Sequence, residues 1–356
     1  MISPSTRQQF FDCLDSYEPI QEKNFAGLSL RNTELSGRVF DKVDFSGTDF
    51  SGSRLDNIVF TNCRFHSSVF EHADLLRCLF SGCELNASSF PHASLRECSI
   101  VECQLAKALF PQATVDSCTF GQTNLSAAIF SQTECKKTTF FETNLAQTDF
   151  VGSHFEISVF FRNDLRQTRF DDCYFEKTVM NETLLCGQRF TGLTFQQCPF
   201  VKSDLKQAIF QDCYLAGCNF QESRLNNASF NACDCTNAIF IESDALSVQF
   251  SETLLSQSMW IQAVATDARF TDCNMTESIL HEADLENARW NRSDLTRADF
   301  SRANLRHTQF ESVILHDTLF HRALVSDGAL LRQPGALPHR DYLHEAELWT
   351  QQARSQ

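Results

Sequence analysis

A large apolar residue recurs at every fifth position, and this period constrains the fold more than any other feature of the chain. The phase holds without a slip from Phe25 to Val325. Phe fills most positions whose number ends in zero, and Leu fills most of those ending in five. Because the same position is filled by Phe in repeat after repeat, the chain contains 34 Phe against 4 Tyr and 3 Trp.

Two further columns accompany the central residue of each repeat. The residue two places earlier (−2) is small, as at Ala73 and Cys78, and the residue one place earlier (−1) is usually polar, as at Asp74. Five residues rotate an α-helix by about 500°, which spreads successive central residues around it. A straight strand has a period of two, which an odd repeat cannot match. A short extended run that buries −2 and the centre, followed by a two-residue corner, fits and coils the chain into a solenoid.

The alternation of Phe and Leu predicts the number of sides. In a three-sided coil, Phe would stack on Leu fifteen residues later. In a four-sided coil, Phe stacks on Phe and Leu on Leu, and such ring ladders add to the burial of apolar area. The sequence therefore predicts an all-β solenoid with four sides, twenty residues per turn and about fifteen turns over residues 25–325.

The cells Ala73-Asp74-Leu75, Ala283-Asp284-Leu285 and Ala303-Asn304-Leu305 share the pattern A(D/N)Lxx. Because this pattern recurs along nearly the whole chain, the chain resembles the pentapeptide-repeat family. The resemblance implies a right-handed quadrilateral β-helix. A narrower resemblance lies at the start, where residues 10–20 run directly into Phe25-Ala26-Gly27-Leu28. This stretch is similar to pentapeptide-repeat proteins found beside bacterial type VI secretion genes.

We expect three segments: a capping helix over 1–20, the β-helix over 21–330, and a linker with a C-terminal helix over 331–356. Ser3-Pro4 is typical of an N-cap followed by Pro at the first helical position. Phe10, Phe11 and Leu14 would form the apolar side of this first helix, which would cover the open end of the solenoid.

The second helix is expected from Asp341 to about Ala353, after Pro334 and Pro338 break the repeat. Its apolar side would be formed by four residues: Tyr342, Leu343, Ala346 and Trp349. One interpretation is a cap for the second open end. The alternative is an interaction surface that includes Tyr342, Leu343 and Trp349, because gyrase-protecting relatives pair through their C-termini. The resemblance thus implies a homodimer through this end.

The formal net charge is −15, from 30 Lys and Arg against 45 Asp and Glu. No basic patch is present, which argues against sequence-independent binding of phosphates. The densest acidic stretch offers a second candidate interaction surface, formed by Asp272, Glu277, Glu282, Asp284 and Glu286. The acidic bias indicates solubility, and the alternative is mimicry of DNA.

Sixteen cysteines are present, and twelve of them occupy the −2 column. Cys135 and Cys235 occupy the centre, so fourteen are predicted to be buried as small apolar residues. No CxxC pair occurs, and we expect neither a metal nor another cofactor. With no signal peptide or membrane-spanning stretch expected, this use of Cys favours a reducing compartment.

Two zones depart from the repeat. Ala245 and Ala265 are small central residues one turn apart, and we expect the indole of Trp260 to fill the space, the alternative being a bend. Between residues 180 and 199, Gln188 and Leu193 replace the small residue at −2.

Neither a nucleophile with its base nor a concave pocket for paired carboxylates is evident, so we expect no enzyme. The predicted function is a protein-binding scaffold or adaptor in a bacterial cytoplasm, serving as a type VI secretion accessory. One alternative is a DNA mimic that protects gyrase or topoisomerase. Another is a bacterial effector secreted into a host or target cell. We expect the partner to be a protein, with no direct contact to nucleic acid or membrane.

Overall fold

The computed structural model describes residues 4–16, 18–338, 346, 349 and 350. It confirms the predicted fold class, a right-handed four-sided β-helix whose parallel strands stack over about 16 turns, where the sequence predicted about fifteen. The chain divides into two compact units, Met1–Leu184 and Leu185–Gln356. No helix in the described ranges is long and apolar enough to cross a membrane.

Unit 1 begins with helix α1 (Pro4–Asp15), which has Pro at its first position as predicted. Phe10 is fully buried, and its ring centroid lies 5.0 Å from that of Phe25 in an edge-to-face contact. Phe11 and Leu14 are only half-buried. The predicted N-cap, Ser3, lies outside the described residues.

Strands are numbered β1 to β29 in chain order, and those of unit 1 form two parallel sheets on adjacent faces of the coil. The odd-numbered strands are β1 (Ile20–Gln21), β3 (Val39–Asp41), β5 (Val59–Thr61), β7 (Leu79–Ser81), β9 (Ser99–Val101), β11 (Thr119–Gly121), β13 (Thr139–Phe141), β15 (Val159–Phe161) and β17 (Val179–Asn181). The even-numbered strands are β2 (Glu34–Ser36), β4 (Arg54–Asp56), β6 (Asp74–Leu76), β8 (Ser94–Arg96), β10 (Thr114–Asp116), β12 (Glu134–Lys136), β14 (His154–Glu156) and β16 (Tyr174–Glu176). The other two faces are joined by single bridges, such as Asp44 with Arg64.

Unit 2 has one extended sheet, and most turns on its other faces are joined by isolated β-bridges. The sheet contains β18 (Arg189–Thr191), β20 (Ile209–Gln211), β21 (Ser229–Asn231), β22 (Gln249–Ser251), β23 (Arg269–Thr271), β24 (Arg289–Asn291) and β26 (Gln309–Glu311). The remaining elements are β19 (Thr194–Gln196), β25 (Asn304–Leu305), β27 (Thr318–Leu319), β28 (Leu324–Val325), the 3₁₀ turn Leu330–Arg332 and β29 (Ala336–Leu337).

The strand register confirms a turn of twenty residues. Leu35 pairs with Leu55 and Phe40 with Phe60 in unit 1, as the like-on-like argument predicted. Phe210 pairs with Phe230 in unit 2. The last coil departs from this register, because Thr318 pairs with Ala336 only eighteen residues later.

Ring ladders and small residues together fill the core. The centroids of Phe90 and Phe110 lie 4.6 Å apart with parallel rings. At −2, a hydroxyl or thiol donates to the carbonyl of a central residue in the previous turn, as Thr48 does to Phe25 over 3.0 Å. Small polar residues are therefore tolerated inside because their donors are satisfied. The fourteen cysteines predicted to be inward are all buried.

Nearly every corner of the coil contains a residue with positive φ, two places after the centre. Glu22 (φ 53°) and Asn32 (φ 52°) are early examples, and the pattern continues to Arg322. These residues donate their backbone N–H to a carbonyl of the next turn, such as Glu22 to Asp41 over 3.0 Å. Stacking thus stabilises a backbone conformation that side chains other than glycine adopt rarely.

Trp260, which lies between Ala245 and Ala265 in sequence, belongs to the core. The indole is fully buried and stacks on Phe240 at 4.1 Å, while its Nε1 donates to Ser258 Oγ over 2.9 Å. Ala245 and Ala265 are also fully buried. The expectation that the indole fills the space beside them stays a prediction. In the second irregular zone, Leu193 is buried, whereas Gln188 is partly exposed.

Candidate functional site

Outward side chains form columns along each face because the register repeats every twenty residues. A residue at −1 or +1 therefore lies beside its counterparts twenty positions away. Many columns hold opposite charges, such as Arg64 with Asp44, Arg169 with Asp149 and Arg224 with Asp204. Such exposed pairs stabilise the fold little, but they neutralise charge locally.

The acidic stretch predicted as an interaction surface winds around one turn of unit 2. Asp272, Glu277 and Glu282 occupy three successive corners, each with positive φ. They therefore point away from different edges of the coil. Only Asp284 and Glu286 share a face, where the side-chain amide of Asn304 donates to both, over 2.8 and 3.3 Å.

The three corner carboxylates each meet an arginine one turn later. Arg292 contacts Asp272 at 2.6 Å, Arg297 contacts Glu277 at 3.2 Å, and Arg302 contacts Glu282 at 3.3 Å. Hydrogen bonds from Arg292 lower the pKa of Asp272.

For the two glutamates, amide hydrogen bonds come first and arginine bonds second in lowering the pKa. Gln257 donates to Glu277 and Gln262 to Glu282, each over 2.9 Å. The five acids of this stretch thus all accept hydrogen bonds from neighbouring side chains.

The C-terminal candidate surface is described only in part. Trp349 is helical and 73% exposed, and Thr350 Oγ1 donates to the carbonyl of Ala346 over 2.8 Å. Tyr342 and Leu343 lie outside the described residues. The C-terminal surface therefore stays a prediction.

One face of unit 1 has outward side chains without formal charge over seven consecutive strands. We call it the uncharged face. Its −1 column is Val59, Leu79, Ser99, Thr119, Thr139, Val159 and Val179. Its +1 column is Thr61, Ser81, Val101, Gly121, Phe141, Phe161 and Asn181. At about 4.8 Å per strand, the six steps span about 29 Å.

Two aromatic rings project outward from this face. The Phe141 and Phe161 rings are nearly parallel, with centroids 6.1 Å apart, and both side chains are half-buried. At the edge of the face, the Arg162 guanidinium lies 4.9 Å from the Phe161 centroid and is held by Glu182 at 2.9 Å. Sequence reasoning missed this face, although reading the chain in steps of twenty would have revealed the absence of charge.

The described residues contain no group of three or more His, Cys, Asp or Glu that could hold a metal ion. Burial raises the pKa of the Cys173 and Cys273 thiols to about 12 in each case. It also raises the pKa of Cys218 and Cys235, which are fully enclosed. These thiols are therefore protonated at neutral pH and poor as nucleophiles or metal ligands.

Two family models match the chain. The model for a pentapeptide repeat region matches residues 73–150. The model for pentapeptide repeats (8 copies) matches residues 24–57, 44–82, 168–207, 208–244 and 278–317. Together the matches extend over both units and cover more than half of the chain. No curated protein matches the chain in sequence.

Solved structures are similar to this chain at low sequence identity. A trypsin-treated variant of QnrB1, a plasmid-mediated fluoroquinolone resistance protein, is 20% identical, with 51% of this chain and 88% of that chain covered and a TM-score of 0.37. HetL from the cyanobacterium Nostoc sp. strain PCC 7120, a pentapeptide repeat protein involved in heterocyst differentiation regulation, is 16% identical. That match covers 79% of this chain and 95% of HetL, with a TM-score of 0.33. These likenesses concern the fold alone.

Proposed function

Because this chain belongs to the pentapeptide-repeat family, we propose that it is a non-enzymatic scaffold that binds a protein partner. The observation that carries the proposal is the uncharged face of unit 1. Contiguous exposed apolar surface marks protein interaction sites in soluble proteins, and the Val, Leu and Phe side chains of this face provide such surface. Here it lies on a sheet whose strands are stacked in register, so binding would require little ordering of the scaffold.

Phe141 and Phe161 are the expected anchors of this contact. Val159 and Val179 lie in the −1 column of the same face, and their β-branched side chains offer apolar area without polar groups to desolvate. Aromatic residues are enriched among the side chains that dominate binding energy at protein interfaces. We therefore expect the partner to present an uncharged, apolar surface to this face.

The test compares two double variants of the full chain as bait in its native cells. Phe141→Lys with Phe161→Lys places two charges on the uncharged face. The matched control, Ser126→Lys with Ala146→Lys, adds the same charge at +1 positions on a neighbouring face of the same coils. A partner that is retained by the wild type and the control, but lost by the Phe variant, would support the proposal.

Recovery of the same protein by all three baits in equal amount would contradict the role of the uncharged face. Circular dichroism and thermal unfolding of the purified variants serve as the folding control. Because all four substituted side chains point outward, we expect the variants to unfold within a few degrees of the wild type.

The cellular location of this scaffold, and the system in which it acts, are also proposals. We propose a bacterial cytoplasmic protein associated with type VI secretion, supported by the similarity of residues 10–28 to pentapeptide-repeat proteins found beside such genes. Type VI components encoded next to this gene would support the association. An isolated resistance locus would instead favour the gyrase-protecting alternative.

The acidic stretch gives that DNA-mimic alternative little support. Three of its five carboxylates are paired with arginines, and the acids lie on different edges of the coil. A mimic would need about one charge per 1.7 Å of its axis, all of one sign. We expect the purified protein neither to bind gyrase nor to relieve its inhibition by quinolones. Binding that is lost when Asp272, Glu277 and Glu282 are neutralised would contradict this expectation.

A further inference from the structure

The extended sheet of unit 2 presents two adjacent arginines on its outward side. Arg269 and Arg289 are register partners in β23 and β24, and both side chains are exposed. Within the described part of the chain, neither guanidinium lies within ion-pair distance of a carboxylate. At about 4.8 Å between strands, two like charges therefore stand side by side.

This placement is unfavourable by itself, because like charges directly opposite each other in a sheet destabilise it. Other arginines of the same unit avoid the penalty by pairing one turn away, as Arg292 does with Asp272 and Arg224 with Asp204. An anion bound between Arg269 and Arg289 would remove the repulsion.

The surroundings of the pair are polar and contain two acids, Asp267 and Glu311. We call the outward side of β22, β23, β24 and β26 the arginine face. Its −1 column is Gln249, Arg269, Arg289 and Gln309, and its +1 column is Ser251, Thr271, Asn291 and Glu311. These two columns contain two positive charges and one negative charge, in a chain whose net charge is −15, and Asp267 adds a second negative charge at the adjoining corner. The columns themselves thus have the opposite charge sign to the molecule as a whole.

Two depressions flank the arginines, and both Arg269 and Arg289 line each of them. One depression, of about 310 Å³, also contacts Gln249, Asn227 and Asn287. The other, of about 400 Å³, also contacts Thr271, Asn291 and Gln309. Asp267 borders the first depression and Glu311 the second. The amides and hydroxyls supply donors and acceptors beside the two cations.

We propose that the arginine face binds an extended acidic segment of a partner protein, with two of its carboxylates on Arg269 and Arg289. The planar fork of a guanidinium matches a carboxylate in bidentate geometry. In an extended peptide, side chains two residues apart are separated by about 6.8 Å, a spacing that two flexible arginines can span. The Asn, Gln and Thr side chains then bind the peptide backbone.

Nucleic acid fits this face less well. A phosphate backbone needs a line of cations, whereas this face offers only two arginines. The inference rests on the proposed function as a protein scaffold and adds a second surface, with a stated partner chemistry, on the other unit.

The experiment measures fluorescence anisotropy of a labelled hexaglutamate peptide titrated with the full chain, at low and at physiological ionic strength. Hexaglutamine, inorganic phosphate and a hexathymidine oligonucleotide are competitors. The test variant is Arg269→Gln with Arg289→Gln, and Gln is tolerated because Gln249 and Gln309 already flank the pair in the same column. The matched control, Arg297→Gln with Arg302→Gln, removes the same charge from exposed corners of unit 2.

We expect hexaglutamate to bind, to bind more weakly as salt is raised, and to lose at least about tenfold in affinity in the test variant. The control should stay within about twofold of the wild type, and hexaglutamine should not compete. The inference is overturned if hexaglutamate does not bind, or if both variants weaken binding equally. It is also overturned if phosphate displaces the peptide at equal concentration or hexathymidine binds more tightly.

The Phe141→Lys, Phe161→Lys variant separates this inference from the proposed function, because its arginine face is unchanged. If that variant loses the cellular partner but binds hexaglutamate normally, both assignments are supported. If the cellular partner depends on the uncharged face but the peptide does not depend on Arg269 and Arg289, only the present inference fails.

Discussion

Replacing Phe150 by Ala should remove one of the most enclosed rings of unit 1. The side chain is fully buried, and its ring contacts five neighbouring rings. The centroid distances are 5.0 Å to Phe130, 5.7 Å to Phe140, 5.3 Å to Phe155, 6.0 Å to Phe160 and 5.7 Å to Phe170. Truncation of a core Phe to Ala costs about 3–5 kcal/mol. Because stacked neighbours cannot collapse into the void and the ring pairs are lost, we expect about 4–5 kcal/mol.

Urea unfolding of three variants measures this cost. Phe150→Leu keeps most of the volume and should cost less than about 1.5 kcal/mol. Arg166→Ala removes an exposed ion pair, in which Arg166 lies 2.6 Å from Asp164. Its cost should be below about 1 kcal/mol. The order of the unfolding midpoints should therefore be Arg166→Ala nearest to the wild type, then Phe150→Leu, then Phe150→Ala.

Overlapping urea midpoints for Phe150→Ala and Arg166→Ala would refute the assignment of central residues to the interior, provided that the unfolding free energy depends equally on urea concentration in both variants. A weaker dependence on urea in Phe150→Ala alone would indicate that less surface is exposed in its main unfolding transition. Hydrogen exchange of the Phe150 amide, which donates to the Arg169 carbonyl over 3.0 Å, then locates the damaged turn.

Three further predictions follow from single features of the structure. A thiol reagent should label Cys13 and Cys186 in the native protein but the other fourteen only after unfolding, and fast labelling of most thiols would contradict the burial. Stability should fall in acid, because Asp272 and Glu277 have folded pKa values below their ordinary 3.8 and 4.5. The contribution of these two carboxylates to the free energy of unfolding is thus fully present above the ordinary pKa values. It is lost as the pH falls through the lowered pKa values of the folded protein. Arg292→Gln should flatten this acid dependence, and an unchanged pH profile would count against the pairing. Gly335→Ala should weaken the last coil by about 3 kcal/mol or more, because φ is +86° and the new methyl group would also collide with the Leu315 carbonyl. Gly187→Ala, with open space around it, should cost only about 1–2 kcal/mol from backbone strain, and equal losses in thermal unfolding would exclude the collision.

The interior was predictable from the sequence because it depends on one simple period. A central Phe or Leu every five residues determines which side chains point inward, and their alternation determines how many sides close the coil. The pairings of Leu35 with Leu55 and of Phe40 with Phe60 confirm both steps. The burial of Cys63 and Cys135 follows from the same period, without any further information.

The corners were less predictable because their conformation is stabilised between turns. Lys42 has a φ of 54°, which a lysine rarely adopts, and its N–H donates to the carbonyl of Thr61 over 2.9 Å. Such a bond exists only after the coil has stacked. A signal was nevertheless present, since ten of the twelve glycines have positive φ, most of them two places after the centre.

The surfaces on which the proposals rest are formed by outward side chains, and the five-residue repeat alone does not show which of these are neighbours. Arg269 and Arg289 are twenty residues apart in sequence, and they become neighbours because one turn of the coil contains twenty residues. The same step shows that Glu277 and Arg297 neutralise each other, although the stretch around Glu277 has the highest density of acids in the chain. Net charge is therefore a poor guide to the partners of a solenoid. The paired acids contribute little to a distant field, whereas two arginines that have no ion pair among the described residues create a local attraction for carboxylates that the total of −15 conceals.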